Sequence, residues 1–194
     1  IYTRQHGRLL GRTAPLRDGT FALQSGVDSW FEPEGSFCPI DAPITVELWA
    51  FPEHLEGMLW GDVGAAMLLS LDAAGRPQFG RHTTAPEAWV RGNAEAPLVS
   101  GRWSHLAGVY TGLELVGYVN GREVCRVHCS GPSGSACMGV GRNPYDQSSI
   151  FTGYIDDVRI TARALLPPEF GPVNPLLSTP ANPGAVDASA APNP

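Results

Sequence analysis

The sequence predicts an all-β protein, two antiparallel sheets packed as a sandwich, on three observations. Glycine and proline are abundant, 23 and 18 in 194 residues, and only 16% of residues are charged, a composition that suits short strands and tight turns over long helices. Several runs alternate apolar and polar residues with period two, and no segment sustains an amphipathic helical period. Turn signals recur at short, regular intervals between those runs, the pattern of a sandwich or jelly roll. A hydrophobic content of 43% supplies a core for one substantial domain plus extensions.

Residues 1–17 carry Arg4, Arg8, Arg12 and Arg17 through a weakly patterned stretch and read as a lead-in or a tether. The folded domain is expected over 18–172. Its first clear strand is ITVELWAF at 44–51, where Ile44, Val46, Leu48 and Ala50 share one face and Thr45, Glu47, Trp49 and Phe51 the other. Both faces are largely apolar, so both are expected to be covered. AMLLSLD at 66–72 ends in the turn signal Ala74-Gly75-Arg76-Pro77, and Gln78 and Phe79 open the next strand, which makes a hairpin. GRWSHLAGVY at 101–110 and LELVGYVN at 113–120 flank a Gly-containing turn. Asn120-Gly121 then gives the strongest short hairpin signal before REVCRV, so three consecutive antiparallel strands follow. TGYIDDVRIT at 152–161 is the last strand, and Pro167-Pro168 closes it. From Pro167 to Pro194 the chain holds eight prolines among Ala, Asn and Ser, and residues 173–194 read as a linker or tail that joins the domain to a longer polypeptide.

A formal net charge of -6 argues against nucleic acid as partner, because phosphate binding needs clustered cations. It disfavours a membrane surface likewise, and no run approaches the roughly 20 apolar residues of a spanning helix. A chain that starts at Ile1 reads as processed or excised. Cys38, Cys125, Cys129 and Cys137 match no zinc, haem or redox spacing. Two readings stand for them: one or two disulfides in an exported protein, Cys129 with Cys137 and Cys38 with Cys125, or buried free thiols.

Three segments in this order, SGVDSWFEP with ITVELWAFP, GRWSHLAGVYTGLELVGYVNGREV, and FTGYIDDVRITARAL, resemble the laminin-G-like jelly-roll domains of the concanavalin A-like lectin and glucanase superfamily. The resemblance covers residues 19–166. The Pro- and Ala-rich tail, the cysteines between 125 and 137 and the residues from His82 to Ala96 depart from it. It implies a sandwich of two antiparallel sheets whose ligands are often carbohydrates, although many members are adhesion or architectural modules, so the fold alone does not settle function.

Alternation places Asp156 on one face with Tyr154, Val158 and Ile160, and Asp157 and Arg159 on the other. If that face is the core, the Asp156 carboxylate needs a partner, because burying it bare costs several kcal/mol. The resemblance implies a structural calcium there, held by Asp156, Asp28 and backbone oxygen near Gly26. The other reading is a carboxylate satisfied by backbone amides or by an arginine such as Arg159. Trp49 and Trp103 belong to strands and are expected in the core. Trp60 and Trp89, in Gly- and Pro-flanked regions expected to be exposed loops, are the candidate sugar platforms, with Arg81 and His82 lining a rim site. His105 is expected to be buried and hydrogen-bonded.

The glucanase relatives carry their acids as Glu-x-Asp-x-x-Glu, a pattern this chain lacks; Glu47, Glu53 and Glu56 come closest. There is no Gly-x-Ser-x-Gly elbow, phosphate loop or His-Glu-x-x-His motif either, so no catalytic residue is assigned and no enzyme activity is expected. The sequence therefore predicts a non-catalytic, lectin-like binding module, extracellular or periplasmic, with carbohydrate as ligand and neighbouring domains in the same polypeptide. The alternative is an architectural or protein-interaction domain without a sugar ligand, such as the accessory domain in large subunits of N,N-dimethylformamidase-like enzymes, which the GRWSHLAGVY region also resembles.

Overall fold

The computed structural model describes residues 7–16, 21–33, 42–61, 66–134 and 138–171. Over these the chain forms, in order, β1 (Gly7–Leu10), β2 (Arg12–Pro15), β3 (Phe21–Ser25), β4 (Trp30–Pro33), β5 (Ile44–Pro52), β6 (Gly57–Gly61), β7 (Leu68–Leu71), β8 (Pro77–Thr84), β9 (Glu87–Asn93), β10 (Ser104–Tyr110), β11 (Glu114–Val119), β12 (Arg122–His128), β13 (Gly139–Val140) and β14 (Gly153–Thr161), followed by a 3-10 turn at Pro167–Glu169. They build two seven-stranded sheets. The first runs β1-β4-β13-β6-β7-β8-β9 and the second β12-β11-β10-β5-β14-β3-β2, with every named strand pair antiparallel. The all-β jelly-roll sandwich read from the sequence is the fold of the protein.

β5 sits at the centre of the second sheet, between β10 and β14, and every one of its residues is buried. Ile44, Val46, Leu48 and Ala50 enter the main core between the sheets with Leu59, Leu69, Phe79, Leu106, Leu115 and Ile155. Trp49 and Phe51 point outward into a second cluster with Trp103 and Tyr154. A third cluster, Ala107, Val109, Val116 and Tyr118, lies under Ala164 and Phe170. The segment after β14 thus folds back across the outer face of the second sheet, which explains why both alternating faces of β5 are apolar.

The Asn120-Gly121 turn joins β11 to β12 with positive φ at both residues, 51° and 75°, and the strands it joins pair Val119 with Arg122. At the β9 and β12 side the two sheets meet closely. A Cβ on Gly92 would come within 2.8 Å of the Cys125 sulfur, so the glycine makes room for that thiol at the closure.

Two expectations are corrected. Residues 7–10 and 12–15 are not part of a lead-in: they form β1 and β2, which edge the first and second sheets respectively, with Gly11 at φ 123° between them. The backbone groups of β4 and β3 find their outer ladder partners there. Asp156 does not face the core. It pairs with Trp49, whose ring lies in the outer cluster, and a bulge between Asp156 and Arg159, with Asp157 at φ 50°, resets the alternation so that Val158 and Ile160 pack against the core. Of the two readings of the cysteines, free thiols hold at the described ends: Cys125 and Cys129 are unpaired, the first half-buried and the second buried. Cys38 and Cys137, and the whole of the tail 173–194, fall outside the described residues.

Candidate functional site

The β8–β9 hairpin sets up the site. Along β8 the alternation sends Phe79, Arg81 and Thr83 inward, all buried, and leaves Gln78, Gly80 and His82 on the outer face of the first sheet. Register then lays out three rows across that face. His82 lies opposite Trp89, Gly80 opposite Arg91 and Leu68, and Gln78 opposite Asn93 and Ser70, with Met58 of β6 beyond Ser70. Gly80 has no side chain to fill the middle of this face, and the Trp89 ring leans into the space: a Cβ there would lie 3.5 Å from it.

The result is an open groove of about 690 Å³ that runs from Trp89 and Arg91 over Gln78 and Ser70 to Met58 and Glu56. From β9 to β6 it crosses three strand spacings, roughly 14 Å, the length of an oligosaccharide segment instead of a single ring. Its floor mixes apolar surface with uncharged polar groups. Ser70 donates to Gln78 at 3.5 Å, Gln78 to Asn93 at 3.2 Å, and Asn93 to Asp72 at 3.4 Å. The two bonds of Asn93 lie at the exposed surface, so a ligand hydroxyl can replace them at little cost.

Trp89 is half-buried. His82 meets its ring edge-on at 5.2 Å, and the Arg91 guanidinium lies over it, 4.7 Å from the ring centroid. Of the four ligand residues read from the sequence, the structure brings two together here, Trp89 and His82. Trp60 and Arg81 are elsewhere. Trp60 is only 2% exposed, on a strand and not in a loop, because the bulge between Met58 and Trp60 turns its ring into the core. Arg81 is fully buried on the inner face, where Nη1 donates to the Ala66 carbonyl at 2.9 Å and the guanidinium lies 3.8 Å over the Tyr110 ring. Neither is accessible to a ligand in solvent. The rim expected around Trp89 is the β8–β9 hairpin, a regular ladder and not a loop. Sequence reading missed Arg91, Gln78 and Ser70; the alternating WVRGN and PQFGRH runs would have put all but Ser70 on the Trp89 face.

The proposed metal ligands are not gathered. Ser25, at the end of β3, pairs with Gly153, and Asp156 lies three residues further along β14, about 10 Å from that end. Asp28 lies beyond Ser25 in the opposite direction, exposed in the turn closed by Gly26 and Ser29, where the Gly26 carbonyl already accepts the Ser29 N–H at 3.1 Å. Asp156 accepts the Asp157 N–H at 2.8 Å within the bulge. Along the register Asp28 and Asp156 thus lie on opposite sides of the Ser25–Gly153 pair.

Glu56 is the one acidic residue lining the groove among the described residues. Glycoside hydrolysis by the usual route needs two carboxyl groups flanking the bond, and Glu56 is the single one on this lining. Among the described residues no helix is long and apolar enough to cross a membrane.

Residues 24–170 match the family described as the concanavalin A-like lectin/glucanases superfamily. Among solved structures the chain is similar to domain 4 of AbnA, an extracellular arabinanase from Geobacillus stearothermophilus, in complex with arabinotriose, at 21% identity over 84% of this chain and 79% of that one, with a TM-score of 0.63. It is similar also to the binding domain of botulinum neurotoxin DC in complex with SialylT, at 14% identity over 84% and 44% of the two chains, TM-score 0.62. A heptameric SAP-like pentraxin from Limulus polyphemus resembles it at 15% identity over 86% and 75%, TM-score 0.52. No curated protein sequence matches the chain. At these identities the structural likenesses speak to fold.

Proposed function

The chain belongs to the concanavalin A-like lectin/glucanases superfamily, and from that premise we propose that it is a non-catalytic binding module whose groove on the outer face of the first sheet holds an oligosaccharide. The observation that carries this reading is that Trp89, whose ring leans over Gly80, lines one groove with Gln78 and Ser70 of the row Ser70–Gln78–Asn93. This sets hydroxyl and amide groups next to an aromatic surface, the combination that a sugar's hydroxyls and CH-rich face call for. The arabinotriose complex of the arabinanase domain supports carbohydrate as the ligand class. We place the module outside the cytoplasm and within a larger protein, as the Pro-rich tail suggests.

Binding in such an open groove is shallow and weak, so it gains from a neighbouring domain that holds the module near its glycan. A glycan array probed with the 194-residue chain tests the reading. Binding to at least one oligosaccharide class, reduced in Trp89→Ala and in Gln78→Ala, is expected. A blank across diverse glycans would overturn it in favour of a protein-interaction module.

A further inference from the structure

Resting on the reading of the groove as a saccharide site, we infer that it selects an anionic saccharide, with Arg91 as the residue that recognises the ligand's carboxylate or sulfate. Arg76, Arg126, Arg159 and Arg163 are each paired with a carboxylate, and Arg81 is sealed in the core. Arg8, Arg12, Arg102, Arg122 and Arg142 also make no ion pair among the described residues, but Arg91 is the arginine that lines the groove. It is exposed, it faces the groove, and among the described residues it makes no ion pair. What positions it is the Trp89 ring, at 4.7 Å.

That mode of support matters for recognition. A carboxylate partner would consume the N–H donors of the guanidinium, whereas an aromatic face orients the plane and leaves its edge donors free. A planar fork held this way is suited to a two-point contact with a carboxylate or sulfate. The row next to Gly80–Arg91 supplies Gln78 and Asn93, which can bond the hydroxyls beside the acid group. At the far end stands Glu56, three strand spacings across and four residues along from Arg91, roughly 20 Å away, which repels a second anion. The groove is therefore polar along its length, with the ligand's acid group at the β9 end.

The net charge of -6 adds a further restriction. A dense polyanion is repelled by the molecule as a whole, and a glycan with an isolated acidic unit on a neutral backbone is favoured.

The test is calorimetric titration of the full chain with two matched pairs of oligosaccharides: a xylo-oligosaccharide bearing one glucuronic acid and its carboxyl-reduced counterpart, and a monosulfated trisaccharide and its desulfated counterpart. The acidic member of at least one pair should bind about tenfold or more tightly than its neutral counterpart, as expected for a charge-assisted contact. Arg91→Ala should abolish that preference, Arg91→Lys should retain part of it, and added salt should weaken it. Which pair responds tells carboxylate from sulfate. Equal binding of both members, or a preference that survives Arg91→Ala, would overturn the inference and leave the saccharide reading standing. Absence of binding to these four and to a broad panel of neutral glycans would overturn both.

Discussion

Glu47 and His105 meet at 3.2 Å on the outer face of the second sheet, both buried, and the backbone N–H of Gly171 donates to both Glu47 carboxyl oxygens at 3.0 and 3.2 Å. The His105 ring packs between Trp49 and Phe170, with centroids 5.3 and 5.7 Å away. Glu47 is thus the anchor that ties the end of the described chain down over β5 and β10. Glu47→Ala strands two donors at a covered site and should cost about 2–4 kcal/mol, read from the denaturation midpoint. Glu47→Gln keeps an acceptor for Gly171 and should lose less. Equal stability of wild type and Glu47→Ala would show that the segment is held by Phe170 packing alone.

Gly117 faces the gap between the sheets, where an added Cβ would overlap the Phe79 ring and stand 2.7 Å from the Cys125 sulfur. Gly117→Ala should therefore overpack the closure between β11 and β8 and destabilise by about 1–3 kcal/mol. Gly121→Ala has open space but φ 75°, so its loss should come from the backbone alone and be smaller, about 1 kcal/mol. The order of the two in urea melts decides whether space or φ dominates.

Burial pushes the thiols of Cys125 and Cys129 above the ordinary cysteine range. At neutral pH both are protonated in folded and unfolded chains alike, so they contribute no pH dependence there. As pH rises past the ordinary thiol value, the unfolded chain loses thiol protons that the native state keeps, and stability falls. Site-resolved alkylation at pH 7 should leave both cysteines slow to react in the native protein and fast in guanidinium. Rapid native labelling of Cys125 would contradict the burial assigned to it.

A calcium ion shared by Asp28 and Asp156 is what the family resemblance implies, whereas the register sets the two on opposite sides of the Ser25–Gly153 pair. The melting temperature should be unchanged by chelator, and Asp28→Asn should fall within about 0.5 kcal/mol of wild type as an exposed substitution. A chelator-dependent drop of several degrees that Asp156→Asn removes would restore the shared site.

The parts of the fold that were legible are those where one alternating run meets one strong turn signal: β5, the β7–β8 turn at Gly75, the Asn120-Gly121 hairpin and the final β14. What stayed illegible depends on irregularity in the partner strand. Period two carried Asp156 inward on paper, and a bulge at Asp157, a local response to pairing with β5, took it outward. Trp60 shows the same failure in β6, a five-residue strand bounded by Gly57 and Gly61 at positive φ that reads as loop. Arg81 was placed beside His82 by sequence adjacency, whereas strand geometry puts neighbours on opposite faces. The groove itself appears only once β6, β7, β8 and β9 are set side by side, because its rows join residues 35 positions apart.

The most direct test of the groove is amide chemical-shift mapping of the chain during titration with an oligosaccharide that it binds. Perturbed amides should cluster on β6 to β9, with Gln78, Trp89 and Arg91 among the largest and the Trp89 indole N–H shifted with them. Shifts concentrated instead on the outer face of the second sheet, around Tyr118 and Phe170, would place the ligand elsewhere and contradict the account.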